Sequence, residues 1–326
     1  MKRVLLLVER SSGGVAETTL EALTVARQVT EMAGGDVEGV FFGSAAEDVP
    51  GQLSRYGIGA LHQINHDLLT DYAPEAWAES LVQLAAKVGP TAIVAAGTDR
   101  GNEVLAHVGA RMAEALAANC ISLDAAEDGW TVTRTRWGGS LLEEARLVGD
   151  VKLLTVAPHA LEVAEAGASR EVEVHPFSPE LTQAHVRTRV KDRSTQAEGV
   201  NLATAPVVVS GGRGVGSAEG FKALDELAEL LGGVVGCSRA ATNQGWRPHS
   251  DQVGQTGTRI APALYIACGI SGATQHWVGC AGAKNIISIN TDPEAPMMSQ
   301  ADYAVIGDLH KVMPAIVEEI RRRKRL

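Results

Sequence analysis

The chain has 326 residues, 45% of them apolar, with 35 glycines, four cysteines and a formal net charge of -10. That length suits two α/β domains, each able to bury its own core. The acidic balance argues against a nucleic-acid partner, no apolar run nears the ~20 residues that span a bilayer, and cysteines without a C-x-x-C pair argue against zinc or iron–sulfur.

Met1-Lys2-Arg3 leads into Val4–Val8, which ends at Glu9 and lacks a small-residue cleavage site. It reads as a first strand rather than a signal peptide, and a cytoplasmic protein is expected. Glu17 to Met32 has helical periodicity, with Ala22, Val25, Ala26 and Val29 on one face and Gly34-Gly35 as its stop. Val37–Phe42 is a second strand, Ala76 to Val88 a helix and Ala92–Ala96 a strand. Gly97-Thr98-Asp99-Arg100-Gly101 then turns into a helix over Glu103–Leu116, with Asp99 as its expected cap. This alternation predicts a mostly parallel sheet with right-handed crossovers.

Beyond Asp128 the texture changes. Trp130–Thr135 alternates apolar and polar, as a half-exposed antiparallel strand does, and Lys152–Val156 and Glu171–Val174 look similar. Val186–Lys191 reads as a charged edge strand, and Ser194 to Leu202 as the linker. The α/β pattern restarts with strand Val207–Val209, helix Gly220–Leu231, strands Val234–Gly236, Leu264–Ala267, Ile286–Ile289 and Tyr303–Ile306, and helix Val312–Arg323. The basic run Arg321–Arg325 suits a helix C-terminus.

Five loops in this second half follow or adjoin apolar runs. They are Ser210-Gly211-Gly212-Arg213-Gly214, Gly236-Cys237-Ser238-Arg239-Ala240-Ala241, Gln252–Gly257, Gly269–His276 and Asn290–Pro296. Together they describe a site at strand ends for a large, phosphate-bearing cofactor. The loop Gly269-Ile270-Ser271-Gly272-Ala273 follows a strand and opens a helix, where backbone N–H groups suit a pyrophosphate and Gly272 permits close approach. Asp292 and Asp308 are acceptors suited to ribose or adenine groups. No G-x-G-x-x-G opens the domain, because Gly212-Arg213-Gly214-Val215-Gly216 lacks the third glycine, so a standard NAD fold is disfavoured.

These motifs resemble the alpha subunit of electron transfer flavoproteins. The resemblance is carried by Val208–Gly214, Ser238–Ala241, Val253–Gly257, Leu264–His276, Asp292–Pro296, Ala301–Tyr303 and Gly307–Leu309. It is dense over about 206–320 and looser over 1–190. It implies an N-terminal α/β domain at 1–193 that packs with a beta subunit, a linker at 194–205, and a C-terminal flavodoxin-like, doubly wound FAD domain at 206–326 that swings on that linker. One FAD per heterodimer is implied, with AMP, or a second FAD in bifurcating members, in the beta subunit.

The resemblance also assigns roles. Arg239 should lie over the flavin ring, Thr256 near flavin N5 with Val253, Gly254 and Gln255 beside it, and His276 at the N1–C2=O edge. Arg213 and Ser238 should contact the phosphate and ribityl region. Ser271, Gly272, Ala273, Thr274 and Gln275 should line the helix start, and Asn290, Asp308 and Leu309 should hold the adenosine end. No catalytic residue and no metal ligand is expected. One-electron reduction can place negative charge at N1–C2=O, which a cationic or donating His276 and a nearby Arg239 would stabilise. An Arg worth ~2–3 kcal/mol would raise a one-electron potential by about 100 mV, at ~59 mV per 1.4 kcal/mol. The segment Trp246–Gln252, Trp277 and Cys280 depart from familiar members.

The expected function is an electron carrier that accepts electrons from flavoprotein dehydrogenases and passes them to a quinone reductase or other acceptor. An alternative is a subunit of an electron-bifurcating, NADH-oxidising complex. A further one is a flavin-free adenine-nucleotide-binding module.

Overall fold

The computed structural model describes residues 2–11, 14–43, 48–126, 129–136, 141–167, 169–191 and 201–324. The chain divides into two compact units. In the first, β1 (Arg3–Leu7), the short pair β2 (Arg10–Ser11) and β3 (Gly14–Val15), α1 (Glu17–Ala33), β4 (Asp36–Phe42), α2 (Asp48–Arg55), β5 (Ala60–Ile64), α3 (Pro74–Val88), β6 (Ala92–Ala96) and α4 (Asp99–Met112) follow in order. Then come β7 (Leu116–Ala126), β8 (Gly129–Arg136), β9 (Leu141–Leu147), β10 (Lys152–Val156) and β11 (Glu173–Phe177).

Nine of these strands form one sheet in the order β11-β5-β4-β1-β6-β10-β7-β8-β9. Pairing is parallel from β11 to β7 and antiparallel from β7 to β9. The central strands are apolar on both faces, because α1 covers one face and α3 and α4 the other. The first unit is thus the mostly parallel α/β layer expected, with Trp130–Thr135 in an antiparallel hairpin.

Four readings need correction. Lys152–Val156 is not a half-exposed antiparallel strand but a buried parallel one between β6 and β7. Its buried Thr155 mimics alternation while bonding Asn102 Oδ1 at 2.7 Å and the Asn119 N–H at 2.8 Å. Glu173–Phe177 runs parallel to β5 at the opposite edge. Val186–Lys191 forms no strand; a single turn, Gln183–His185, precedes it. Thr98, not Asp99, caps α4, accepting from the Gly101 N–H at 2.9 Å. Residues 194–200 of the expected linker lie outside the described residues, as does Arg325.

The second unit contains β12 (Val207–Gly211), α5 (Lys222–Leu231), β13 (Val234–Cys237), α6 (Arg239–Asn243), β14 (Leu264–Cys268), α7 (Thr274–Cys280), β15 (Ile286–Asn290), α8 (Pro296–Gln300), β16 (Tyr303–Ile306) and α9 (Leu309–Lys324). All five strands are parallel, in the order β13-β12-β14-β15-β16. Within the unit this is the order 2-1-3-4-5 of flavodoxin-like, doubly wound sheets.

Its two faces are built from alternate strand residues. Val209, Ile266, Cys268 and Ile289 meet Leu224, Leu227 and Ala228 of α5 and Met313 and Val317 of α9. Val208, Tyr265, Ala267 and Ile286 meet Cys280 of α7 and Met297 of α8. Each fully buried large side chain there contributes roughly 1.5–3 kcal/mol. At the end of α9, Arg322 and Arg323 pair with Glu319, Arg321 pairs with Glu226 and Lys324 donates to the Leu230 carbonyl. The basic run is therefore largely engaged within its own unit.

Candidate functional site

In a sheet ordered 2-1-3-4-5 the chain leaves β12 and β14 in opposite directions, and a crevice opens at their carboxyl ends. The loops that follow these strands meet there. The Gly212 N–H donates to the Cys268 carbonyl at 2.9 Å and the Gly214 N–H to the Gly269 carbonyl at 3.0 Å. A Cβ at Gly212 would collide with the Gly269 carbonyl, and one at Gly214 would sit 2.8 Å from Gly269 Cα. The crossing is possible because no side chain separates the two backbones.

Around this crossing stand the residues singled out from the sequence. Arg213 begins a short turn over Arg213–Val215 and is exposed. Ser238 precedes α6; its N–H donates to the Gly211 carbonyl at 2.9 Å, while its buried Oγ has no partner among the described residues. Arg239 opens α6, is exposed, and forms no ion pair among the described residues.

The Val253–Gly257 loop is fastened to α7. The Gln255 N–H donates to the Gln275 carbonyl at 2.7 Å, and a Cβ at Gly254 would lie 2.8 Å from that same oxygen. Gly279, one turn along α7, rests against the Gly254 backbone so closely that any Cβ there would collide with it. Val253 itself is buried in the core and contributes backbone. Thr256 is exposed, and its hydroxyl accepts from Gln252 Nε2 at 2.9 Å. Gln252 is 1% exposed, and its Oε1 accepts from Thr242 of α6 at 3.0 Å. Sequence reasoning passed over Gln252; its place at the head of the loop motif was the available signal.

His276 is 7% exposed, and its Nε2 lies 2.6 Å from the hydroxyl of Tyr265 on β14. Burial pushes its pKa down to about 4, with the Val253 backbone pulling the other way. The imidazole is thus neutral near pH 7, which favours the donating role over the cationic one. Its buried Nδ1 makes no hydrogen bond of good geometry among the described residues, the Val253 backbone being its nearest polar influence.

At the far end, three residues also have duties within the fold. Asn290 Nδ2 donates to the Ile270 carbonyl at 3.1 Å and so braces the glycine loop. Asp308 accepts from the His310 N–H at 3.0 Å, which caps α9. Leu309 packs its side chain into the core and against Gly269, where a Cβ would lie 2.9 Å from Leu309 Cδ2. Ser271, Ala273, Thr274 and Gln275 are exposed around the start of α7. Gly272 has φ +81°, and a Cβ there would lie 2.7 Å from Met297 Cα. Its glycine is thus required by the packing of α8, apart from any phosphate.

The four cysteines are buried and free, and burial raises Cys120, Cys237, Cys268 and Cys280 to about 12 each. They remain thiols, as small core residues do. Among the described residues no group of His, Cys, Asp and Glu could hold a metal, and no helix is long and apolar enough to cross a membrane.

The arrangement suits a flavin dinucleotide: a glycine crossing at the switch point, two exposed arginines, and two buried polar atoms without partners. The electron transfer flavoprotein domain matches residues 4–180, and the electron transfer flavoprotein FAD-binding domain matches 201–281. The chain belongs to the electron transfer flavoprotein alpha-subunit family. It is 35% identical over 326 residues to the electron transfer flavoprotein subunit alpha of Thermoanaerobacterium thermosaccharolyticum, covering 99% of each. It is 37% identical over 325 residues to that of Mycobacterium tuberculosis, covering 99% of this chain and 100% of the relative. Identity to the Bacillus subtilis subunit is 32% over 321 residues, covering 98% of each. As a member of the electron transfer flavoprotein alpha-subunit family, the chain is an electron-carrying subunit rather than an enzyme.

Proposed function

We propose that this chain binds one FAD through residues 206–326 and carries electrons from flavoprotein dehydrogenases to a quinone reductase or other acceptor. It does so as one half of a heterodimer, with residues 1–193 packed on a beta subunit that holds AMP, and 194–205 as the linker. The observation that carries the reading is the glycine crossing of Gly212–Gly214 with Gly269 at the switch point, flanked by the unpartnered Ser238 Oγ and His276 Nδ1. Buried polar atoms are rarely left alone, and a ligand that pairs them recovers roughly 1–3 kcal/mol each.

The bound FAD supplies the electron-accepting ring system; the chain supplies its surroundings. Backbone N–H groups of the glycine loops, with Arg213 and Ser238, receive the phosphates. Arg239 brings a permanent positive charge. Gln252 holds the Thr256 hydroxyl, and neutral His276 offers a ring N–H.

The test is to produce the chain together with its partner subunit and measure flavin absorbance and extracted cofactor. One FAD per heterodimer is expected. A colourless heterodimer that takes up no added FAD overturns the reading.

A further inference from the structure

We propose that Tyr265 holds His276 in its Nδ1–H tautomer, so that a neutral imidazole presents a fixed proton at Nδ1. The tautomer is a property of this chain alone; its use toward a flavin rests on the function proposed above.

Tyr265 sits on β14, in the middle of the second sheet, and is fully buried among Val208, Ile286, Cys280 and Met297. Its ring cannot turn away without breaking that packing. Across from it, α7 brings His276 close, with ring centroids 6.2 Å apart and planes tilted by 32°. The Oη–Nε2 separation is 2.6 Å. That is the length of a bond given by a hydroxyl; an N–H donor to oxygen usually stands near ~2.9 Å. A phenol has one proton to give. Given to Nε2, it leaves the imidazole proton on Nδ1.

The competing arrangement reverses the bond. Nε2–H would donate to the phenol oxygen, and the phenol proton would turn to Ser210 on β12. Ser210 Oγ is the alternative acceptor; it is buried, makes no hydrogen bond of good geometry among the described residues, and lies close enough to the phenol to pull the Tyr265 pKa down as a donor does. The reversed arrangement would also leave Nδ1 as a buried lone pair with no donor. The observed distance favours Tyr265 as donor to His276. Burial keeps the Tyr265 hydroxyl well above the ordinary tyrosine range, so its proton is permanent.

Tyr265 is therefore a positioning residue. It is fully buried and acts through its neighbour, deciding which nitrogen of His276 bears the proton. Imidazole in water prefers the Nε2–H form, so the fold imposes the rarer one. Under the function proposed above, Nδ1–H is the group that meets the reducible ring.

The test is a long-range proton–nitrogen correlation spectrum of the heterodimer, with nitrogen-15 histidine in this chain and FAD removed, at about pH 7. His276 should show a protonated Nδ1 and a bare Nε2. In Tyr265→Phe it should move to the Nε2–H form or a mixture, and with FAD restored the midpoint potential should fall. Ser210→Ala is the second variant, and it leaves the packing of Tyr265 in place. It should leave the His276 tautomer unchanged, whereas the reversed arrangement loses its acceptor and must switch. A protonated Nε2 in the parent, or a switch in Ser210→Ala, overturns the inference. Failure to bind FAD would instead strike the proposed function, because the nitrogen spectrum needs no flavin.

Discussion

Gln252 Nε2 donates to the hydroxyl of Thr256 at 2.9 Å. The same amide accepts from Thr242 at 3.0 Å, so one buried side chain ties the Arg239 helix to the Val253–Gly257 loop. Removing it takes one acceptor from the half-buried Thr242 hydroxyl, which keeps the Arg239 carbonyl, and leaves the exposed Thr256 hydroxyl without guidance. Gln252→Ala should lower unfolding stability by about 1–3 kcal/mol and weaken FAD binding. Gln252→Glu should do worse on binding, because a carboxylate cannot donate to Thr256. Urea unfolding and FAD dissociation constants check both, and a variant matching the parent in each would remove Gln252 from the site.

Arg239 should tune the bound FAD rather than hold it. The side chain is exposed, so solvent screening reduces its effect to tens of millivolts, below the ~100 mV of a shielded charge. Arg239→Ala should retain FAD and lower its one-electron potential, and Arg239→Lys should change it less. Spectroelectrochemical titration with FAD still bound reads this directly. Equal potentials in parent and Arg239→Ala would place the guanidinium away from the ring.

Gly272→Val and Gly279→Ala should damage the fold before any ligand is added. Gly272 combines φ +81° with backbone of Met297 where a Cβ would go, and a Cβ at Gly279 would collide with Gly254. Each should cost about 2–4 kcal/mol in the FAD-free protein, as strain and overpacking do. Had Gly272 served only to admit a phosphate, FAD-free stability would be untouched. Chemical denaturation of the stripped heterodimer separates these outcomes.

The first unit should lose stability as the pH rises from the acid range to neutrality. Burial, opposed by the His159 N–H that donates to its Oε2 at 2.7 Å and reinforced by Glu17, raises Glu21 to about 7. The folded form therefore keeps a proton that the unfolded chain has released. The contribution is present in full below the ordinary carboxylate range and is lost as pH rises through about 7. A shift of this size allows at most about 3 kcal/mol, which screening trims to roughly 1–2 kcal/mol. Glu21→Gln keeps an oxygen for His159 and should flatten the decline between about pH 5 and pH 8. Urea midpoints across that range decide; a parallel decline in the variant would assign the effect elsewhere.

The second sheet was largely legible because its strands are apolar runs punctuated by glycine loops. Tyr303–Ile306 falls where expected, and β12, β14 and β15 differ only at their ends. The first unit was harder. Thr155 is buried by hydrogen bonds that come from Asn102 and Asn119, far away in sequence, so β10 imitated a surface strand. Val186–Lys191 alternates but has no partner strand among the described residues, and alternation alone cannot supply one. At the candidate site, the motifs named loops that the fold brings together without saying which atoms serve. Leu309 and Val253 lie in motifs yet bury their side chains, while Gln252 and Tyr265 act through partners that only the fold brings near.

The buried thiols make the molecule its own recorder of opening. A thiol held near 12 offers almost no thiolate at neutral pH, so an alkylating reagent must wait for the chain to part around it. Cys120 belongs to the first sheet, whereas Cys237, Cys268 and Cys280 mark both faces of the second. Mass-spectrometric labelling can therefore time the loosening of each sheet separately, and of each face of the second, with no probe introduced.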